Sequence, residues 1–156
     1  MILSGNKAIA QDCIEGIRML SNMRLCSNVP AQSIVQTALG GYQSVSNYLT
    51  PGGRIYEQRE CIYQALKDIP GLSVVKPKAA FYMFPKLDVK KFHSTNDEQF
   101  ALDLLRDKKI LLIHGGGFHW EQPDHFRVVY LPRIEVLKES ADKSADFLSY
   151  YQQNRR

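Results

Sequence analysis

Apolar residues recur along this chain at two spacings, and the switches between them mark its elements. Near the N-terminus Ile9, Cys13, Ile17 and Leu20 follow one another at intervals of three and four, which predicts a helix from about Lys7 to Leu20, mildly interrupted by Gly16. A second helix is predicted from about Pro30 to Leu39. Asn28 can cap it, Pro30 is tolerated in a first turn, and Gly40 and Gly41 close it. The stretch "LTPGGRIYEQRECIYQALKDIPG" predicts a third, beginning near Pro51 to Gly53. It sets Ile55, Ile62, Ala65, Leu66 and Ile69 on one side and stops at Pro70 and Gly71.

The period then shortens to two. "LSVV" and "AFYMF" flank the turn-like "KPKAA", which predicts two strands and a hairpin. "TNDEQFALDLLRDKK" returns to a helix: Thr95 or Asn96 is suited to the N-cap, Asp97 and Glu98 to the first turn, and Arg106, Lys108 and Lys109 to the end. "ILLI" reads as a short strand, "HGGGFHWEQPD" as a loop and "HFRVVYL" as a strand. "RIEVLKESADKSADFLSYYQQ" reads as a closing helix with Ile134, Leu137, Ala141, Ala145 and Leu148 on one face. From about residue 50 the order is helix, two strands, helix, two strands, helix. The expected fold class is α/β (α+β), a small sheet covered by helices.

Length and composition narrow the class. A chain of 156 residues suits one ordinary domain with a real core. Its charge of +4, from 20 basic and 16 acidic residues, is too mild to call for nucleic acid. Arg155 and Arg156, which contribute to it, sit at a terminus expected to fray. Cys13, Cys26 and Cys61 lie far apart with no C-x-x-C pair, so neither a zinc site nor a disulfide framework is expected, and a reducing cytoplasm fits best. No apolar run approaches the ~18 residues of a membrane span, and no export signal is evident.

Several chemical readings fail on spacing. "ILLIHGGGF" has the look of an oxyanion-hole strand, but no G-x-S-x-G elbow accompanies it. As a phosphate cradle it lacks G-x-x-x-x-G-K-[ST]. Three consecutive glycines more simply indicate an unusual φ or a backbone approached closely. His114, His119, Asp124 and His125 are metal-capable residue types at spacings that match no helix or finger pattern, and solvated loop histidines are the plainer reading. "FYMF" with the lysines at 76, 78, 86, 90 and 91 could stack and neutralise RNA, but the ribonucleoprotein strand pattern is absent. Aromatic residues in a strand are more often core.

Arg127 stands apart. In "DHFRVVYLPR" the strand period sends Phe126 and Val128 to one face and Arg127 and Val129 to the other. A guanidinium cannot shed its proton, so a half-buried one needs a partner, and its planar fork matches a carboxylate. The commoner partner is an Asp or Glu of the same fold.

Five strings occur in order: "MRLCSNVPAQSIVQTALGGYQS", "LTPGGRIYEQR", "DIPGLSVVKPKAAFYMFPKLD", "ILLIHGGGFHW" and "DHFRVVYLPR". Together they resemble the C-terminal part of a class I/II, fold-type I pyridoxal-phosphate aminotransferase, most like its alanine aminotransferase branch. The resemblance implies transfer of an amino group between an amino acid and a 2-oxo acid in a cytoplasmic homodimer, with the cofactor as electron sink. It implies that Arg127 binds the substrate α-carboxylate. Gly117 and Phe118 would lie in a loop near the substrate entrance, and Asn28 in a segment near the subunit interface and cofactor. Residues 1–49 would finish the large cofactor domain, and residues 50–156 would form the small domain.

The same resemblance places the catalytic lysine, the aromatic that stacks on the cofactor, the Asp that pairs with its ring nitrogen and the phosphate loop before Met1. On that reading no catalytic residue and no metal ligand lies in this chain. The chain is then expected to be a fragment that neither binds pyridoxal phosphate nor transaminates alone and needs the N-terminal portion as partner. Apolar faces in the first 49 residues would stay uncovered. The alternative is a free-standing α/β module that holds a carboxylate on Arg127 without catalysis.

Overall fold

The computed structural model describes residues 8–153. The expected helix start at Lys7 and the pair Arg155 and Arg156 lie outside them. The chain divides between Ser44 and Val45 into two compact units.

The first unit holds α1 (Gln11–Asn22) and α2 (Val29–Gly40). Asn28 caps α2 as its residue type predicts, its Oδ1 accepting from Ala31 N at 3.1 Å with Pro30 in the first turn. Gly41 follows, where a Cβ would stand 2.4 Å from the Thr37 carbonyl oxygen; no larger residue fits that close approach. Neither helix has a buried residue. Met19, Leu20, Ile34 and Leu39 are all exposed.

In the second unit α3 (Ser46–Leu49) leads into α4 (Arg54–Lys67). Short strands β1 (Leu72–Ser73), β2 (Tyr82–Met83) and β3 (Lys86–Leu87) follow, then α5 (Val89–Phe92) and α6 (Asp97–Lys108). β4 (Ile113–His114), a 3-10 turn (Gly115–Phe118), β5 (Phe126–Val129) and α7 (Ile134–Tyr150) complete it. α6 begins at Asn96, whose Oδ1 accepts from Gln99 N at 3.0 Å. Gln153 Oε1 adds acceptor capacity for Thr95 N and Asn96 N, so both residues proposed for the cap are engaged.

The predicted hairpin between "LSVV" and "AFYMF" does not form. β1 pairs antiparallel with β3, whereas β2 joins a three-stranded antiparallel sheet in the order β2-β5-β4. Alternation specifies which side chains share a face but not which strand lies alongside. Here the segment between them is turned away: Ala80 sits in the left-handed region at φ 60° and its carbonyl accepts from the buried Tyr130 hydroxyl at 2.6 Å. The strand expected at "ILLI" is also displaced, starting only at Ile113, and the expected loop opens with the 3-10 turn.

The core joins Ile62, Leu66 and Ile69 of the α4 segment to Phe100 and Leu104 of α6, Phe126 of β5, and Leu137, Ala141 and Leu148 of α7. Each such large side chain contributes ~1.5–3 kcal/mol by leaving water. Phe126 is buried and Val128 packs on the core, so the opposite face of β5, carrying Arg127 and Val129, is held outward by the burial of its neighbours.

Candidate functional site

Pairing on both sides makes β5 the rigid centre of its sheet. Tyr82 is opposite Val129 and Ile113 is opposite Arg127, and residues two apart share a face, so Tyr82 and Arg127 are diagonal neighbours. The guanidinium carbon lies 4.7 Å from the Tyr82 ring centroid and 4.4 Å from that of Phe118, at the end of the 3-10 turn. Such contacts stabilise a cation by ~0.5–2 kcal/mol each. They supply no hydrogen-bond acceptor.

The internal carboxylate partner that residue type alone favours is not found among the described residues. Among the described residues the Arg127 side chain makes no hydrogen bond or ion pair, and its Nε is buried without a partner. An unpaired buried donor costs ~1–3 kcal/mol, so the arrangement is suited to an acceptor brought from outside.

An aromatic cluster backs the Phe118 ring. Phe84 meets Phe118 edge-on at 6.3 Å and Trp120 at 5.7 Å, and stacks on His125 at 4.8 Å. Asp124, buried beneath, fixes two of these groups: Oδ1 accepts from Trp120 Nε1 at 2.9 Å and stands 2.6 Å from His125 Nδ1. Lys86 Nζ is 3.4 Å from its Oδ2. Burial pushes the Asp124 carboxyl upward, but the Trp120 and His125 hydrogen bonds and the nearby His125 and Lys86 charges together outweigh it, and its pKa lies below the ordinary carboxylate value. The histidines do not converge on a metal: His114 leans toward Asp97 and His125 is engaged by Asp124. Among the described residues no three metal-capable side chains gather.

The three glycines of the turn are there for space. None has a positive φ. A Cβ on Gly115 would come within 3.0 Å of the His125 carbonyl oxygen, and one on Gly116 within 3.2 Å of His114 Nδ1. A cavity of about 340 Å³ that Arg127 also helps line is walled by Ile62, Leu66, Leu137 and Ala141 of the core. The two rings beside the guanidinium are not among its walls.

With this geometry in view, sequence comparison is decisive. The family aminotransferase class I and II matches residues 3–143. The chain belongs to that family. Glutamate-pyruvate aminotransferase AlaA of Haemophilus influenzae is 56% identical over 98% of this aminotransferase chain and 38% of its own length. The alanine aminotransferase of Mycobacterium tuberculosis is 47% identical over 98% of this chain and 36% of its own. A crystal structure of an aminotransferase from Escherichia coli, 54% identical, superposes with a TM-score of 0.81 over 98% of this chain and 38% of that one. The chain thus spans under two fifths of the length of these relatives.

The family implies pyridoxal phosphate as cofactor of the complete enzyme, and the residues present do not suit its reactive end. A lysine that holds a carbonyl cofactor must be desolvated or have a depressed pKa. Every described lysine except Lys108 is exposed, and Lys108 is paired with Asp146 at 2.7 Å, which raises its pKa. No described lysine has the burial or depressed pKa that holding the cofactor's carbonyl would need. Of the residues singled out in the sequence, Arg127, Phe118 and Gly117 fall in the second unit. Asn28 lies in the first, with its side chain committed to the α2 cap. In the sequence Asp124 stands out only as a metal-capable residue, Tyr82 only within the "FYMF" stacking run, and Asp97 only as a first-turn acid; none is connected there with Arg127.

Proposed function

We propose that this chain supplies the substrate-carboxylate side of a pyridoxal-phosphate aminotransferase that moves an amino group between an alanine-like amino acid and a 2-oxo acid. Arg127 grips the substrate α-carboxylate through two parallel hydrogen bonds. The observation that carries this reading is the guanidinium flanked by Tyr82 and Phe118 yet without any acceptor among the described residues. The rings thin the water around the cation and restrict its rotation, so a carboxylate meets a preorganised fork. That pairing orients the amino group; the reaction requires protein beyond the residues described.

The relatives' printed names, glutamate-pyruvate and alanine aminotransferase, support glutamate and pyruvate, or alanine and 2-oxoglutarate, as the pairs. Residues 1–49 belong on this reading to the large cofactor domain and 50–156 to the small domain, with a cytoplasmic homodimer as the working form. The exposed apolar positions of α1 and α2 support a covered surface there. Gly117 and Phe118 stand at the substrate entrance, and Asn28 lies close to the subunit interface and the cofactor.

The test is Arg127→Ala in the full-length protein that contains this chain. Loss of a desolvated bidentate pair weakens the amino acid substrate by ~2 to 4 kcal/mol and leaves cofactor uptake, read from absorbance, nearly unchanged. An unaltered KM for both amino and oxo acids overturns the assignment.

A further inference from the structure

Phe118 bears on Arg127 from a turn of only four residues, so something must hold that turn in place. Its base is secured by Gly115 N, which donates to the His125 carbonyl at 2.8 Å. Its outer edge is secured by a residue far away in sequence. Gly116 N donates to Asp97 Oδ2 at 2.7 Å, while Asp97 Oδ1 accepts from Glu98 N in the first turn of α6 at 3.0 Å. One carboxylate therefore spans helix and turn, using a charge-assisted hydrogen bond on the turn side.

Helix capping does not explain this arrangement. Asn96 already caps α6 through Gln99 N, and Gln153 serves Thr95 N and Asn96 N. The Oδ2 atom of Asp97 is left over for the turn. His114 Nδ1 stands farther from the same oxygen, at 3.5 Å, and makes no hydrogen bond. A Cβ on Gly116 would stand 3.4 Å from the same oxygen, an ordinary contact, and 3.2 Å from His114 Nδ1.

We propose that Asp97 is a positioning residue of the carboxylate site: by tying Gly116 N to the first turn of α6, it sets where Phe118 lies against Arg127 and so how tightly a substrate carboxylate is held. This inference rests on the role of Arg127 proposed above.

The test uses the full-length enzyme with L-alanine and 2-oxoglutarate, comparing Asp97→Ala and Asp97→Asn with and without Arg127→Ala. Asp97→Ala raises the KM for L-alanine by about tenfold while kcat and cofactor uptake stay within about twofold, because the loss falls on binding. Asp97→Asn retains an acceptor oxygen and recovers most of that loss. On the Arg127→Ala background the second substitution adds no more than about twofold, the signature of two residues acting as one unit. Equal effects on both backgrounds, or a fall in cofactor uptake, show a merely structural role and overturn the inference. If Arg127→Ala raises KM and Asp97→Ala does not, the inference alone fails. If Arg127→Ala itself has no effect, the carboxylate assignment fails first.

A second readout needs no activity. In the 156-residue chain the Arg127 Nε–H, shielded from water, exchanges slowly by nuclear magnetic resonance, and Asp97→Ala speeds it by about tenfold or more with α7 amides unchanged. Unchanged Nε–H exchange overturns the proposal. Should Asp97→Ala fail to fold, Asp97→Ser keeps an oxygen favourable to the first helical turn but too short to reach Gly116, and the same comparisons apply.

Discussion

The ring of Phe118 stands 4.4 Å from the guanidinium carbon of Arg127, and the two residues are brought together by the turn that follows β4 and by the central strand β5 with which β4 pairs. Phe118 is itself substantially exposed, so its contact with Arg127 matters more for binding than for folding. Phe118→Leu keeps apolar cover but removes the π face. In the full-length enzyme it is expected to weaken amino acid binding by ~1.5–2 kcal/mol and to leave the melting temperature nearly unchanged. A loss of stability without any change in KM would show that the ring serves packing alone.

Gly115 and Gly117 separate the two explanations for a glycine run. Gly115→Ala places a methyl 3.0 Å from the backbone oxygen of His125, which cannot yield, and is expected to destabilise by ~1–3 kcal/mol. Gly117→Ala meets only side-chain atoms, Ile113 Cγ2 at 3.2 Å and the His114 ring at 3.7 Å and beyond, which can rotate away, and is expected to cost under ~0.5 kcal/mol. Urea unfolding midpoints check both; the opposite ranking sinks the close-approach explanation.

Asp124 makes the aromatic cluster sensitive to acid. Its folded pKa is depressed below that of the unfolded chain, so its contribution to stability is fully present above the ordinary carboxylate value of ~3.9 and is lost as pH falls through the folded value. Asp124→Asn is expected to lower stability at neutral pH, with the gap to the unaltered protein closing below about pH 4. Trp120, the only tryptophan in the sequence and a direct partner of Asp124, reports the change by fluorescence. A gap independent of pH would refute the linkage.

Hydrogen exchange tests the exposed first unit. In a monomer of this chain the amides of α1 and α2 are expected to exchange much faster than those of α6 and α7, because neither of the first two helices has a buried residue whereas α6 buries Phe100 and Leu104 and α7 buries Leu137 and Phe147. Protection of residues 11–40 equal to that of α7 would mean their apolar faces are covered within the monomer.

Local chemistry made much of this legible. Asn28 and Asn96 have side chains short enough to reach the free N–H groups of a first turn, and both cap the helices assigned to them. Leu137, Ala141 and Leu148 recur on one face of α7 and are buried together. Asp97 shows the limit. Its position announces a first-turn acid, and nothing in the local string says that its second oxygen serves Gly116, nineteen residues on.

The order of letters was enough to locate the longer helices, to set Arg127 on the face opposite Phe126 and Val128 and to point to the family, because caps, periodicity and collinear motifs depend on near neighbours or on the string itself; the short α3 and α5 went unpredicted. Which strand pairs with which was settled only by folding. β1 went to β3 and β2 to β5, since a period of two matches any strand with a compatible face. The environment of Arg127 was likewise decided in three dimensions: whether a guanidinium meets an internal acid or two aromatic rings depends on which segments cross beside it, and Tyr82 and Phe118 arrive from different parts of the chain.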